Sequence, residues 1–176
     1  MKTLSATLVL LLSISTFGMT QDDPTIGKQK EAISKLASFM EGTWQGPGWM
    51  KKGQSAPISV NTTETVEVKT GGTTLLINGL GMLPESDNIV HDALAIIHYD
   101  VATGTYQFGA HLATGLHKQV TGTLEDNVFV WGFDLPNNAS IRYTITFADN
   151  TWKEVGEYSP DTNQYYQFFE MNLTKQ

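Results

Sequence analysis

Three charged residues, Arg142, Glu157 and Glu170, fall near the middle of three consecutive segments of strand character. If they face one enclosed space they form a charged cluster. Such a cluster holds a ligand carboxylate or hydroxyl in a cavity, because a buried charge needs a partner. If they face the other way they belong to a solvated wall, which the alternation Arg142, Thr144, Thr146 also suits. Hairpin register decides between the two, since a slip of one residue turns every side chain over. All three stand as candidate ligand-binding residues, with Arg142 and Glu157 as polar anchors.

The four histidines are His91, His98, His111 and His117. They contain no H-E-x-x-H and no tight metal spacing. His91 and His98 sit seven apart on one strand and so point to opposite faces. His98 and His111 are expected to be neighbours across the hairpin near residues 100–105, either as a pair that meets a ligand or as plain wall residues. Trp44, Trp49, Trp131 and Tyr166 line a cavity or fill a core, and rings with polar tips do both.

Nothing in the chain reads as a nucleophile. There is no cysteine, which removes thiolates, disulfides and Cys-rich zinc sites together. G-x-S-x-G is absent, and Gly79-Leu80-Gly81 is a strand kink with no helix after it to bind phosphate. No cofactor and no metal is assigned. The small molecule expected as partner is hydrophobic or amphipathic.

These residues need elements to hold them. Ile33, Leu36, Ala37 and Met40 recur at i, i+3, i+4 and i+7 and give residues 28–40 one apolar helical stripe. Residues 21–27 are polar, contain Pro24 and Gly27, and read as a flexible tail. Beyond Gly42, strand-like segments follow at about 43–52, 58–70, 73–83, 89–100, 105–113, 118–125, 128–134, 140–148, 151–159 and 164–174. Turn formers such as Ala102-Thr103-Gly104 and Ala148-Asp149-Asn150 separate them. Short connections imply antiparallel neighbours, and a meander of about ten strands closes on itself to remove its edges. Trp44, set between Gly42 and Gly46, is suited to plug one end. Residues 84–88 read as a loop at the mouth. The expected fold class is therefore all-β: a closed antiparallel up-and-down barrel of about ten strands with one N-terminal capping helix. It forms a single domain over residues 28–176.

The chain has 176 residues, 18 acidic against 11 basic, and a formal charge of −7. That balance disfavours nucleic acid and anionic membrane surfaces, which need a basic face. Residues 1–20 carry Lys2, an apolar run of about a dozen residues and then small residues, the plan of a secretory signal peptide. The expectation is an exported protein, periplasmic or secreted. With no cysteine after the leader it has no lipoprotein membrane anchor.

The helix followed by Gly42-Thr43-Trp44-Gln45-Gly46 and about ten strands resembles the calycin superfamily of lipocalin-like barrels. The Gly-x-Trp-x-Gly opening is similar to that of nitrobindin-type barrels. The stretch from Trp152-Lys153-Glu154-Val155-Gly156-Glu157-Tyr158-Ser159 to Phe168-Phe169-Glu170-Met171 resembles an exported bacterial lipocalin-like family of unknown function. The resemblance implies a barrel with an internal cavity for a small, largely apolar guest. Nitrobindin-type proteins ligate haem iron through a histidine near the chain end; here no histidine follows His117. Some calycin-like barrels use Tyr, Arg and Glu for decarboxylation or isomerisation of small aromatic acids. Arg142, Glu157 and Tyr166 supply those types, which keeps a lyase or isomerase as the alternative.

Overall fold

The computed structural model describes residues 23–176. One helix, α1 (Pro24–Met40), precedes ten strands: β1 (Gly42–Met50), β2 (Ile58–Lys69), β3 (Thr74–Met82), β4 (Ile89–Asp100), β5 (Thr105–Leu112), β6 (His117–Glu125), β7 (Val128–Asp134), β8 (Ser140–Ala148), β9 (Thr151–Ser159) and β10 (Tyr166–Lys175). Each strand pairs antiparallel with its neighbour in sequence, and β10 returns to pair with β1, so the sheet is a closed barrel without edges. The all-β barrel with one packed helix is as expected. The leader reading falls on residues outside those described.

Within the tail expected over residues 21–27, residues 24–27 are the first turn of the helix. Asp23 caps it by accepting from the Thr25 backbone N–H at 2.8 Å, and Pro24 takes the first turn. There proline's missing N–H costs nothing. The helix ends where the Glu41 N–H bonds Ala37 O at 2.8 Å and Gly42 turns with φ of +122°. That backbone angle suits glycine and few other residues.

Helix α1 lies across one end of the barrel. Ile33, Leu36, Ala37 and Met40 are buried against it. The Trp44 indole N–H donates to Met40 O at 2.7 Å, the Tyr106 hydroxyl donates to Ala32 O at 2.9 Å, and Phe39 stacks on Phe147 at 5.6 Å between ring centroids. These contacts reach β1, β5 and β8 around the circumference, so the helix closes the end rather than covering the outer wall. The tight turns β2–β3, β4–β5, β6–β7 and β8–β9 belong to this closed end. The longer connections, 51–57, 83–88, 113–116, 135–139 and 160–165, gather at the opposite mouth.

The residues that face inward follow from register. Leu75 pairs with Ile97, Ile97 with Phe108 and Phe108 with Val120. On the other side Phe129 pairs with Ile145, Ile145 with Glu154 and Glu154 with Met171. All of these are buried. Phe129 fills the space over Gly122, where even a methyl would collide with its ring. The half of the interior nearest the helix is thus packed solid.

Candidate functional site

Toward the mouth the inward-facing side chains are less completely buried. Trp131, Tyr143 and Phe169 each lie two residues from a fully buried partner on the same face, Phe129, Ile145 and Met171 respectively, yet remain partly accessible to solvent. Phe133, Ile141, Ala93, Ala110 and His91 continue the same inward phase toward the mouth and are likewise partly accessible. One wall is a ladder of rings. Phe108 stacks on Trp131 at 4.8 Å, Trp131 stacks on Tyr143 at 4.1 Å and 8°, and Phe169 meets Tyr143 edge-on at 6.0 Å. The facing wall of this mouth-side cup is made of small residues, Gly79, Gly81, Ala93, Ala95 and Ala110.

Two carboxylic acids sit where the packed half meets this cup. Glu64 follows Thr62 and precedes Val66 on the inner face of β2, and its carboxylate rests against Gly79, where a Cβ would stand 2.8 Å from it. Glu154 lies between Trp152 and Gly156 on the inner face of β9. They are 8 % and 7 % exposed. Burial pushes the Glu154 carboxyl up to about 7, partly offset by the Trp152 and Trp131 indole N–H groups, which favour its charged form. Glu64 is raised well above the ordinary carboxylate range by burial first and the Glu154 charge second. Burial, with the nearby Glu154 charge, also raises the Tyr143 phenol. His91 is pushed down by burial, less the effect of Asp92. Trp152 Nε1 points toward Glu154 but closes no hydrogen bond of normal geometry and has no other partner.

Several expected site residues stand elsewhere. Arg142 pairs with Gly132 and Glu157, one residue out of phase with Tyr143, so both charged side chains lie on the outer wall. There Arg142 Nη2 donates to Glu157 Oε2 at 2.8 Å, and the guanidinium stacks on Tyr165 at 3.9 Å. Glu170 pairs with Trp49 and Val155, also outside, and accepts from Gln167 and Asn172. Its pKa is lowered mainly by those amides. Outward alternation on β1 and β10 carries Trp49 and Glu170 together onto that surface. His98 pairs with Gln107 rather than His111, and His111 stacks on His117 at 6.0 Å on the exposed outer face. Tyr166 pairs with Tyr158 beyond a bulge between Gln167 and Phe169; it reaches the mouth and is 51 % exposed. Trp44 is core beneath the cup, and only Trp131 lines it. Among the described residues no three His, Cys, Asp or Glu side chains are grouped to hold a metal ion.

Glu64 and Glu154 have no evident charge partner in sequence, whereas Arg142 and Glu157 do. The signal for the two inner acids was present. Val60, Thr62, Glu64, Val66 and Val68 alternate as one face, and Glu154 shares its face with Trp152 and Gly156.

No protein-family model matches the sequence, and no curated protein does. The likeness lies in the fold. The crystal structure of Rv2717c from M. tuberculosis superposes with a TM-score of 0.62 at 11 % identity, over 82 % of this chain and 97 % of that one. The two share a barrel architecture. Among the described residues no helix is long and apolar enough to cross a membrane.

The outward position of the Arg142–Glu157 pair has a measurable consequence. Exposed ion pairs contribute at most about 1 kcal/mol, and the stacking on Tyr165 adds a similar amount. Arg142→Ala is expected to cost about 1–2 kcal/mol in a urea melt and to leave any binding in the cup unchanged. Lost binding with unchanged stability would place the residue in the site after all.

Proposed function

We propose that the mouth-side half of the barrel holds a small hydrophobic or amphipathic molecule, and that the chain is an exported binding protein. One observation carries the reading: a ladder of partly accessible rings faces a wall of Gly and Ala across the interior of a closed sheet. Solvated apolar surface inside a barrel is unfavourable by about 25 cal/mol per Å² and is relieved by a guest of matching shape. Export rests on the leader-like sequence of residues 1–20. It is tested by sequencing the N-terminus of the protein recovered outside the cytoplasm, which should begin near Gln21.

Binding is tested with the neutral dye Nile red. The chain is expected to bind it saturably with enhanced emission. Ala110→Trp, which puts a ring into the cup, should reduce binding at least tenfold, whereas Arg142→Ala should not. A dye response that survives Ala110→Trp would contradict an internal site.

One observation favours a second reading, acid–base catalysis by a lyase or isomerase in the same cup. Glu154 titrates near neutrality, beside the Tyr143 phenol, and a carboxyl poised there can give or take a proton at working pH. Its substrate would be neutral, because two buried acids repel a carboxylate. Turnover that Glu154→Gln abolishes while Nile red still binds would establish it.

A further inference from the structure

Resting on the reading of the cup as a binding site, we infer that its occupant carries a protonated amine, or another cationic nitrogen with N–H donors, seated on the Glu64 and Glu154 carboxylates. The cup floor holds two acids and no base. Among the described residues neither carboxylate joins an ion pair with Lys, Arg or His; the salt bridges found are Lys69–Glu67, Arg142–Glu157 and Lys153–Glu170, all on the outer surface. The inward-phase nitrogen bases are His91, on the wall beside Gly81, Lys118, whose ammonium is engaged over the Phe133 ring at 4.5 Å near the mouth, and Lys175, whose ammonium lies over the Trp44 ring at 5.4 Å at the closed end.

A buried acid without a partner is costly, and the ordinary remedy is an opposite charge with hydrogen bonds to the remaining lone pairs. One group on the floor is suited to supply such a hydrogen bond. Trp152 is 2 % exposed and its Nε1 has no partner, so it stands ready to bond Glu154 once that carboxylate is ionised and pulled into line. An anionic amphiphile such as a fatty acid would bring a further carboxylate to a floor where negative charge is already disfavoured. The apolar ladder above takes the rest of the molecule. The occupant is therefore a cationic amphiphile with its head down and its tail toward the mouth.

Displacement of Nile red by three eight-carbon probes at pH 7.5 separates the possibilities. Octylamine is expected to compete at least tenfold more strongly than 1-octanol, the gain of a charge-assisted hydrogen bond, and octanoate less strongly than 1-octanol. In the Glu64→Gln/Glu154→Gln double variant, octylamine should lose its advantage over 1-octanol. These substitutions keep shape and relieve repulsion, so folding is preserved. If Nile red binds and octylamine competes no better than 1-octanol, the amine assignment is overturned while the binding site stands. If Nile red does not bind, the site itself fails and the assignment with it.

Discussion

Replacing Trp44 by alanine is expected to remove about 4 kcal/mol of stability. The side chain is 2 % exposed, meets Trp152 edge-on at 5.8 Å and ties β1 to the last turn of α1 through Met40 O. Truncating a buried aromatic costs about 3–5 kcal/mol, and the stranded Met40 carbonyl adds about 1 kcal/mol. Against a total of roughly 5–15 kcal/mol for a domain, the melting temperature should fall by about 10–15 °C. Trp44→Phe keeps most of the volume and loses the hydrogen bond, so it should cost about 1–2 kcal/mol. The measurement is thermal melting followed by circular dichroism. Equal stability of Trp44→Ala and wild type would mean that the helix is not anchored through this residue.

The second large effect is a pH dependence that Glu154→Gln removes. In the folded chain Glu154 titrates near 7, against 4.5 for an ordinary glutamate. The folded state therefore holds a proton that the unfolded state has released between those values. Its stabilising contribution is complete below about pH 4.5 and is lost as pH rises through about 7. By linkage the cost of ionising it in place is about 3 kcal/mol. Glu64 acts in the same direction. His91 acts in the opposite direction on the acid side, because its burial disfavours the protonated imidazole that the unfolded chain adopts. Asp161 and Glu170, with lowered pKa values, also lose stability only as the solution becomes acid. The informative quantity is thus the difference between variant and wild type at each pH. At pH 8 the variant should be more stable by about 3 kcal/mol, and at pH 4.5 the two should coincide. A difference that does not change with pH would show that Glu154 is ionised and well solvated in the folded chain.

Much of the fold was legible in the sequence, for a simple reason. A closed meander uses only local connections, and each hairpin announces itself through turn residues between alternating segments, as Ala148-Asp149-Asn150 does between β8 and β9. Ile141, Tyr143, Ile145 and Phe147 share one face of β8 by alternation, and Ile33, Leu36, Ala37 and Met40 mark the buried stripe of α1. The start of that helix was harder to read, since a proline in polar surroundings suits both a tail and a first turn.

The site was less legible. Alternation says which residues share a face but not which face is inside, and a strand that is apolar on both sides leaves that undecided. On β9, Glu154 and Glu157 are both acidic and three apart, so they face opposite ways. Arg142 supplied a reason to prefer Glu157, and the pairing is real, but it forms on the outer wall. Trp152 and Gly156 held the better clue, because a large ring and a residue without a side chain on one face mark the crowded side. On β10 the bulge between Gln167 and Phe169 shifts the parity, which carries Tyr166 to the mouth although Phe168 and Glu170 share its alternation in sequence.

The most direct test of the internal site is an NMR titration of the labelled chain with octylamine, following glycine and alanine amides. Gly79, Gly81, Gly156, Ala93 and Ala110 belong to strands' inward-facing positions, whereas Gly109 and Gly132 face outward on the same sheet. Large saturable shifts at the first group with little change at the second are the predicted result. Shifts confined to Gly109, Gly132 and their outer-wall neighbours, or no shifts at all, would contradict a guest inside the barrel.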